Sequence, residues 1–195
     1  MKKILALAVV LVAILMVPAF ADDVTVGNLS EGKTGRFDYG MTYIVGNTTV
    51  EGVPVRLQLD LFSQPAGYRR VWLNAGAIEL AKGDLSASFS PGIIVDNRDR
   101  WWVGGTLVAE YKPAGLTLIY KPAAGNRGDR HLAFTSLRVT DWLAIRHSFY
   151  TQRGMSPDSY LGPAITLGKN VWIWGGPSLN RPGAWTLDAS ATIKF

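Results

Sequence analysis

Cysteine is absent from the 195 residues, and histidine occurs twice, at His131 and His147. The first absence excludes disulfides, thiolate zinc ligands, thiol catalysis and a lipid-modified N-terminal Cys. Two histidines leave no basis for a His-rich metal centre, so neither a metal nor a cofactor is expected. Helical periodicity is also missing beyond residue 22, where the 21 glycines and nine of the 10 prolines interrupt nearly every window. No Lys/Arg cluster is interleaved with aromatics, which excludes a nucleic-acid footprint. Walker loops, dinucleotide fingerprints, EF-hands and zinc spacings do not occur.

The one long apolar run lies at the N-terminus. Lys2 and Lys3 precede an uncharged stretch over residues 4–16, and Ala19-Phe20-Ala21 provides small residues at signal-peptidase spacing. This is the layout of a secretory signal. The stretch approaches the length of a spanning helix, but Pro18 and the Ala-x-Ala ending favour cleavage near Ala21. Residues 1–21 are therefore read as the signal and 22–195 as the mature domain. Losing Lys2 and Lys3 lowers the formal charge from +5 to +3, so part of the basicity belongs to the signal.

The mature chain alternates with period two. Trp185, Leu187, Ala189, Ala191, Ile193 and Phe195 share one face against Thr186, Asp188, Ser190, Thr192 and Lys194. Val55, Leu57, Leu59 and Leu61 oppose Arg56, Gln58 and Asp60; Leu85, Ala87 and Phe89 oppose Ser86, Ser88 and Ser90. Phe37, Tyr39, Met41, Tyr43 and Val45 form a further apolar-side set. Weaker alternation marks 24–29, 68–80, 102–112, 116–121, 131–140, 142–151, 160–167 and 171–175. Tight turn sequences at 81–84, 112–115, 140–141 and 168–170 alternate with longer charged connections at 96–100, 124–130, 152–158 and 177–183. That rhythm predicts an all-β, transmembrane, up-and-down antiparallel β-barrel with a short-turn end and a longer-loop end. Twelve strands fit the length, with ten as the alternative count.

Small residues and charges of both signs on the polar faces suit a wet lumen better than a soluble sheet surface. The lumen-lining set is Arg56, Asp60, Arg70, Glu110, Lys112, Lys121, Arg138, Arg146, Asp188 and Lys194. Aromatics near strand ends suit the two headgroup levels of a membrane: Trp101, Trp102, Tyr111, Tyr120, Trp142, Tyr150, Tyr160, Trp185 and Phe195.

With Ala191, Ile193 and Phe195 at alternate positions to the end of the chain, the sequence resembles the bacterial outer-membrane β-barrel class. That resemblance implies a bacterial outer-membrane location, assembly through recognition of the C-terminal strand by the barrel-assembly machinery, and contact with outer-membrane lipid and lipopolysaccharide. The function expected is a narrow porin-like channel for passive passage of small polar solutes. The alternatives are a closed structural or surface-interaction barrel that binds lipopolysaccharide or a protein partner, and thirdly a lipid-modifying barrel enzyme.

For that third reading no catalytic residue is assigned. His147 and Ser148 are adjacent on a strand and point to opposite faces, so they do not form a dyad; a cross-strand partner for His147 stays open. His131 reads as a loop-end residue. Arg127-Gly128-Asp129 is turn material before it is an adhesion motif, and the sequons at Asn28 and Asn47 carry no weight in a bacterial protein.

Overall fold

The computed structural model describes residues 21–34, 36–64 and 68–194, without the side chains of 36–39 and 64. Residues 1–20 of the proposed signal and Phe195 lie outside the described residues. Thirteen strand segments follow one another: β1 (Asp23–Lys33), β2 (Arg36–Val50), β3 (Val53–Gln64), β4 (Arg69–Ala75), β5 (Ile78–Ala81), β6 (Leu85–Asp96) and β7 (Trp101–Tyr111). A 3-10 turn (Lys112–Ala114) leads to β8 (Leu116–Gly125), β9 (Arg130–Arg138), β10 (Leu143–Gln152), β11 (Asp158–Leu167), β12 (Val171–Pro177) and β13 (Ala184–Lys194).

Sequence neighbours pair antiparallel, β1 pairs with β13, and β4 pairs with β6, which closes the sheet. β4 and β5 are successive parts of one stave. Arg70 to Asn74 pair with Asp96 to Gly92, and Ile78 and Glu79 continue along the same strand at Phe89 and Ser88. The break falls at Gly76, whose φ of +78° suits glycine, and whose N–H bonds the Pro54 carbonyl at 2.8 Å. The barrel therefore has twelve staves, the expected count, and the segment read as a single strand over 68–80 is interrupted because it outruns the start of β3 at Val53. Staves about 4.8 Å apart and tilted about 40° give a backbone radius of about 12 Å.

The tight turns gather at the end that holds Asp23 and Lys194, and the longer connections gather at the other. The hairpin between β2 and β3 needs two residues, Glu51 and Gly52, both at positive φ; such a turn matches the twist of paired strands. We call these the turn end and the loop end.

Register assigns each face. Tyr43, Asp60, Arg70 and Asp96 form one inward row from β2 to β6. Between them Leu57, Leu59, Leu61 and Val71 form an apolar cluster on the outer face, and Ile93, Val103, Leu161, Leu187 and Ile193 are outward and exposed. β2 and β12 depart from the simple apolar-out expectation. Met41, Tyr43 and Val45 of β2 point inward, as do Trp172 and Trp174 of β12, because each shares a register row with a lumen residue on the adjoining strand.

Candidate functional site

The lumen is organised around buried charges in contact with aromatic rings. Asp60 on β3 is fully buried. Its Oδ2 accepts hydrogen bonds from Arg70 Nε at 2.7 Å and Trp72 Nε1 at 2.7 Å, and its Oδ1 accepts one from Gln58 Nε2 at 2.7 Å. Arg70 also places an Nη2 at 2.7 Å from the same carboxylate. This saturates the acid and sets the indole of Trp72 across the barrel. There the Arg130 guanidinium of β9 lies 4.5 Å and the Lys121 ammonium of β8 5.0 Å from the Trp72 ring centre. Three staves lie between β4 and β9, so this contact is a chord through the lumen.

Arg130 is 2 % exposed, and it also packs against Trp102 and Tyr150 at 5.8 and 5.5 Å. Arg146 on β10 has an equivalent cage: Phe134 at 4.2 Å, Trp172 at 4.5 Å and Trp174 at 5.4 Å. Nε and Nη1 of Arg130 and Nε of Arg146 are buried without a hydrogen-bond acceptor from the protein. Beyond Trp174, Asp188 accepts a 2.9 Å bond from the Tyr43 hydroxyl, which reaches it over Gly27. A Cβ on Gly27 would lie 2.2 Å from the Tyr43 ring; glycine is required for this crossing. Since Tyr43 and Asp60 are register partners, the two groups meet and encircle the lumen.

Near the loop end, Asp96 accepts bonds from Tyr68 Oη at 3.0 Å, Arg100 Nε at 2.5 Å and the N–H groups of Arg98 and Arg100. On the opposite wall Arg181 pairs with Asp158 at 2.6 Å and donates to the Tyr160 hydroxyl, which itself bonds Glu31. At the turn end a cavity of about 320 Å³ opens between Asp23, Asn47, Arg56, Asn74, Ser90 and Thr106.

Of the residues assigned to the lumen from sequence, Arg56, Asp60, Arg70, Glu110, Lys121, Arg146 and Asp188 lie on inward rows. Arg138 and Lys194 share that parity but stand exposed at the turn-end mouth. Lys112 is a correction: it sits in the exposed 3-10 turn, where Pro113 and the left-handed Gly115 end the strand. Sequence reasoning missed Arg130, Asp96, Asp158 and Arg181, which it took for loop charges, and Glu31, to which it gave no place. A signal was present for Arg130, since it falls in phase with Leu132, Phe134 and Ser136.

The aromatic set divides. Trp101, Tyr111, Trp142 and Trp185 are outward or in turns near the strand ends, and Tyr120 is outward in mid-strand, bonded to His131 Nδ1 at 2.7 Å. Trp102, Tyr150 and Tyr160 point inward, contrary to the interface expectation; Trp102 is 1 % exposed. Of two successive strand residues only one can face lipid, and inside the barrel these rings cover guanidinium groups, a favourable electrostatic contact. Ser148 is inward and His147 outward, so the adjacent pair is separated as expected. His147 Nε2 instead meets Ser159 Oγ at 2.7 Å on the outer wall, among Ile145, Phe149 and Leu161. The described residues supply no hydrogen bond to its Nδ1, and the contact satisfies two polar groups on an apolar face.

No family model and no curated protein matches the sequence. Among solved structures the chain is similar to the KdgM porin, with a TM-score of 0.60 at 10% identity, covering 88% of this chain and 99% of that one. The KdgM porin in complex with disordered oligogalacturonate matches equally well. The outer membrane protein Omp33 of Acinetobacter baumannii gives a TM-score of 0.51 at 12% identity, covering 89% of this chain and 98% of that one. The shared feature is the closed antiparallel barrel.

Proposed function

We propose that this chain is a narrow, water-filled, porin-like channel of the bacterial outer membrane that passes small polar solutes without catalysis. The observation that carries the reading is the pair of caged arginines. A buried guanidinium is stable when its N–H donors are satisfied, and no protein acceptor serves Arg130 Nε, Arg130 Nη1 or Arg146 Nε. Lumen water or a passing solute is the remaining acceptor. The porin folds of KdgM and Omp33 support the reading at the level of architecture. Cleavage near Ala21, insertion guided by the C-terminal strand, and contact of the outward Leu, Val and Trp residues with outer-membrane lipid complete it. Short turns then face the periplasm and longer loops the exterior.

The chord from Trp72 to Arg130 favours a second reading, a closed barrel whose role is structural or interactive. Purified protein in planar bilayers decides between them. Discrete conductance steps are expected; a membrane as silent as the protein-free control overturns the channel.

A further inference from the structure

At the turn end one register row runs through Asp23, Asn47, Arg56 and Asn74 on β1, β2, β3 and β4. It reads acid, amide, cation, amide, and it forms one wall of the turn-end cavity of about 320 Å³. We propose that this cavity binds a zwitterionic α-amino acid with an uncharged side chain, its carboxylate on Arg56 and its ammonium on Asp23. As a solute in transit, that ligand rests on the channel reading.

Three observations converge. The first is a pair of opposite charges held apart. Asp23 and Arg56 lie two staves from one another, about 10 Å between backbones, with Asn47 between them. They feel one another electrostatically but form no ion pair among the described residues. Those residues also give the Arg56 guanidinium no hydrogen bond, and of the Asp23 carboxylate only Oδ1 is engaged, by Asn47 Nδ2 at 2.6 Å. Four residues further along β3, Asp60 closes a comparable pair with Arg70 at 2.7 Å. The turn-end pair stays open, and a ligand carrying both charges fits between its members. The guanidinium edge matches a carboxylate bidentately.

The second is the balance of charge. Asp22 is the remaining charged residue of the lining. Cleavage at Ala21 turns its backbone nitrogen, 2.8 Å from the Asn47 carbonyl, into an ammonium, so two negative and two positive charges surround the space. Glu110, Arg138 and Lys194 stand nearer the mouth, and none of them forms an ion pair with a cavity residue among the described residues, although Lys194 is the register partner of Asp23. A simple cation entering the cavity meets Arg56, and a simple anion meets Asp22 and Asp23. A neutral polyol leaves both signs unmatched. A zwitterion has both signs and a net charge of zero, which is how a site selects by repulsion as well as attraction.

The third is the far wall. Ser90 and Thr106 are register partners on β6 and β7, and Val108 follows Thr106 on the same face. Asn74 Nδ2 is bonded to the Ser90 carbonyl at 3.2 Å, which leaves its Oδ1 and the two hydroxyls for a ligand. The lining contributed by β6 and β7 carries no charge, so it suits an uncharged side chain. A volume at the lower limit of small-molecule sites suits one amino acid better than a peptide.

Titration of the detergent-solubilised protein with L-glutamine, N-acetylglutamine and glutaminamide, followed by saturation-transfer NMR, tests the site. Glutamine should bind in the millimolar range. N-acetylglutamine, which lacks the ammonium, and glutaminamide, which lacks the carboxylate, should each bind at least about fivefold more weakly. Arg56→Gln should weaken glutamine by a similar factor without weakening glutaminamide, and Asp23→Asn should weaken glutamine without weakening N-acetylglutamine. The exposed Lys82→Gln should change nothing. Heat-modified gel migration checks that the variants are closed barrels. Equal binding of the three compounds, no saturable binding of glutamine, or affinities unmoved by both cavity substitutions in closed barrels overturns the site. If the variants do not assemble, the three compounds on wild type decide alone. Planar-bilayer conductance is scored separately: current without glutamine binding removes the site and leaves the channel, and binding without current keeps the site and removes the channel.

Discussion

Asp60 and Trp72 show how much one side chain decides here. Asp60 holds Arg70 and aims the Trp72 indole at the far wall. Replacing Asp60 by Asn removes the counter-charge of a guanidinium that stays buried, an error that costs about 3 kcal/mol or more. We expect urea unfolding in lipid vesicles to register that loss. Trp72→Ala removes the chord itself. Single-channel conductance should rise by roughly half or more, since side chains set the free width of a small barrel, whereas the outward Trp101→Ala should leave it unchanged. Equal conductance in all three proteins would mean that Trp72 does not form the constriction. Asp60 was readable from sequence as an inward charge, because Val55 to Leu61 alternates cleanly. Its partners were only partly readable, because a cross-lumen contact has no sequence spacing.

At the scale of strands, close approach matters as much as alternation. β1 lies between β2 and β13, and the Tyr43 to Asp188 hydrogen bond must pass over it at Gly27. Gly27→Ala would place a methyl group within the ring of Tyr43, an overpacking that costs about 2 kcal/mol. The cost should largely disappear in a Tyr43→Ala background, and a double-mutant cycle of unfolding free energies measures that coupling. An unchanged cost would mean that β1 yields rather than the ring. Strand boundaries and turns were legible because glycine, proline and asparagine have local conformational preferences. The division of 68–80 into β4 and β5 was not, because it depends on where β3 begins. The inward turn of Met41, Tyr43 and Val45 was hidden for a related reason: alternation separates two faces without saying which is inside when both carry apolar residues.

For the whole molecule, closure by β4 and β6 leaves β5 as a four-residue segment paired only to β6 among the described strands. Everything else is arranged on a cylinder whose two faces differ. The absence of native cysteine makes this simple to test with single substitutions. Thr106 lines the turn-end cavity and Leu107 beside it faces outward. In membranes, a small charged thiosulfonate should modify Thr106→Cys at least about tenfold faster than Leu107→Cys, because the thiolate and the reagent both need water. The reverse order would invert the barrel faces.

By itself the sequence determined the kind of object: period-two alternation, missing helical periodicity and recurrent turn residues are local properties, and they allow an antiparallel barrel of about twelve staves with a polar interior. The tertiary structure decided what that interior contains. It brought Arg130, Arg146 and Lys121 onto the inner face of β8, β9 and β10 and drew Trp72, Trp102, Trp172 and Trp174 inward to cover their charges. It removed Lys112 from the lumen, and Tyr150 and Tyr160 from the membrane boundary. Those choices follow from register around a closed sheet, in which the environment of a side chain is set by strands far away in the chain and not by its neighbours in sequence.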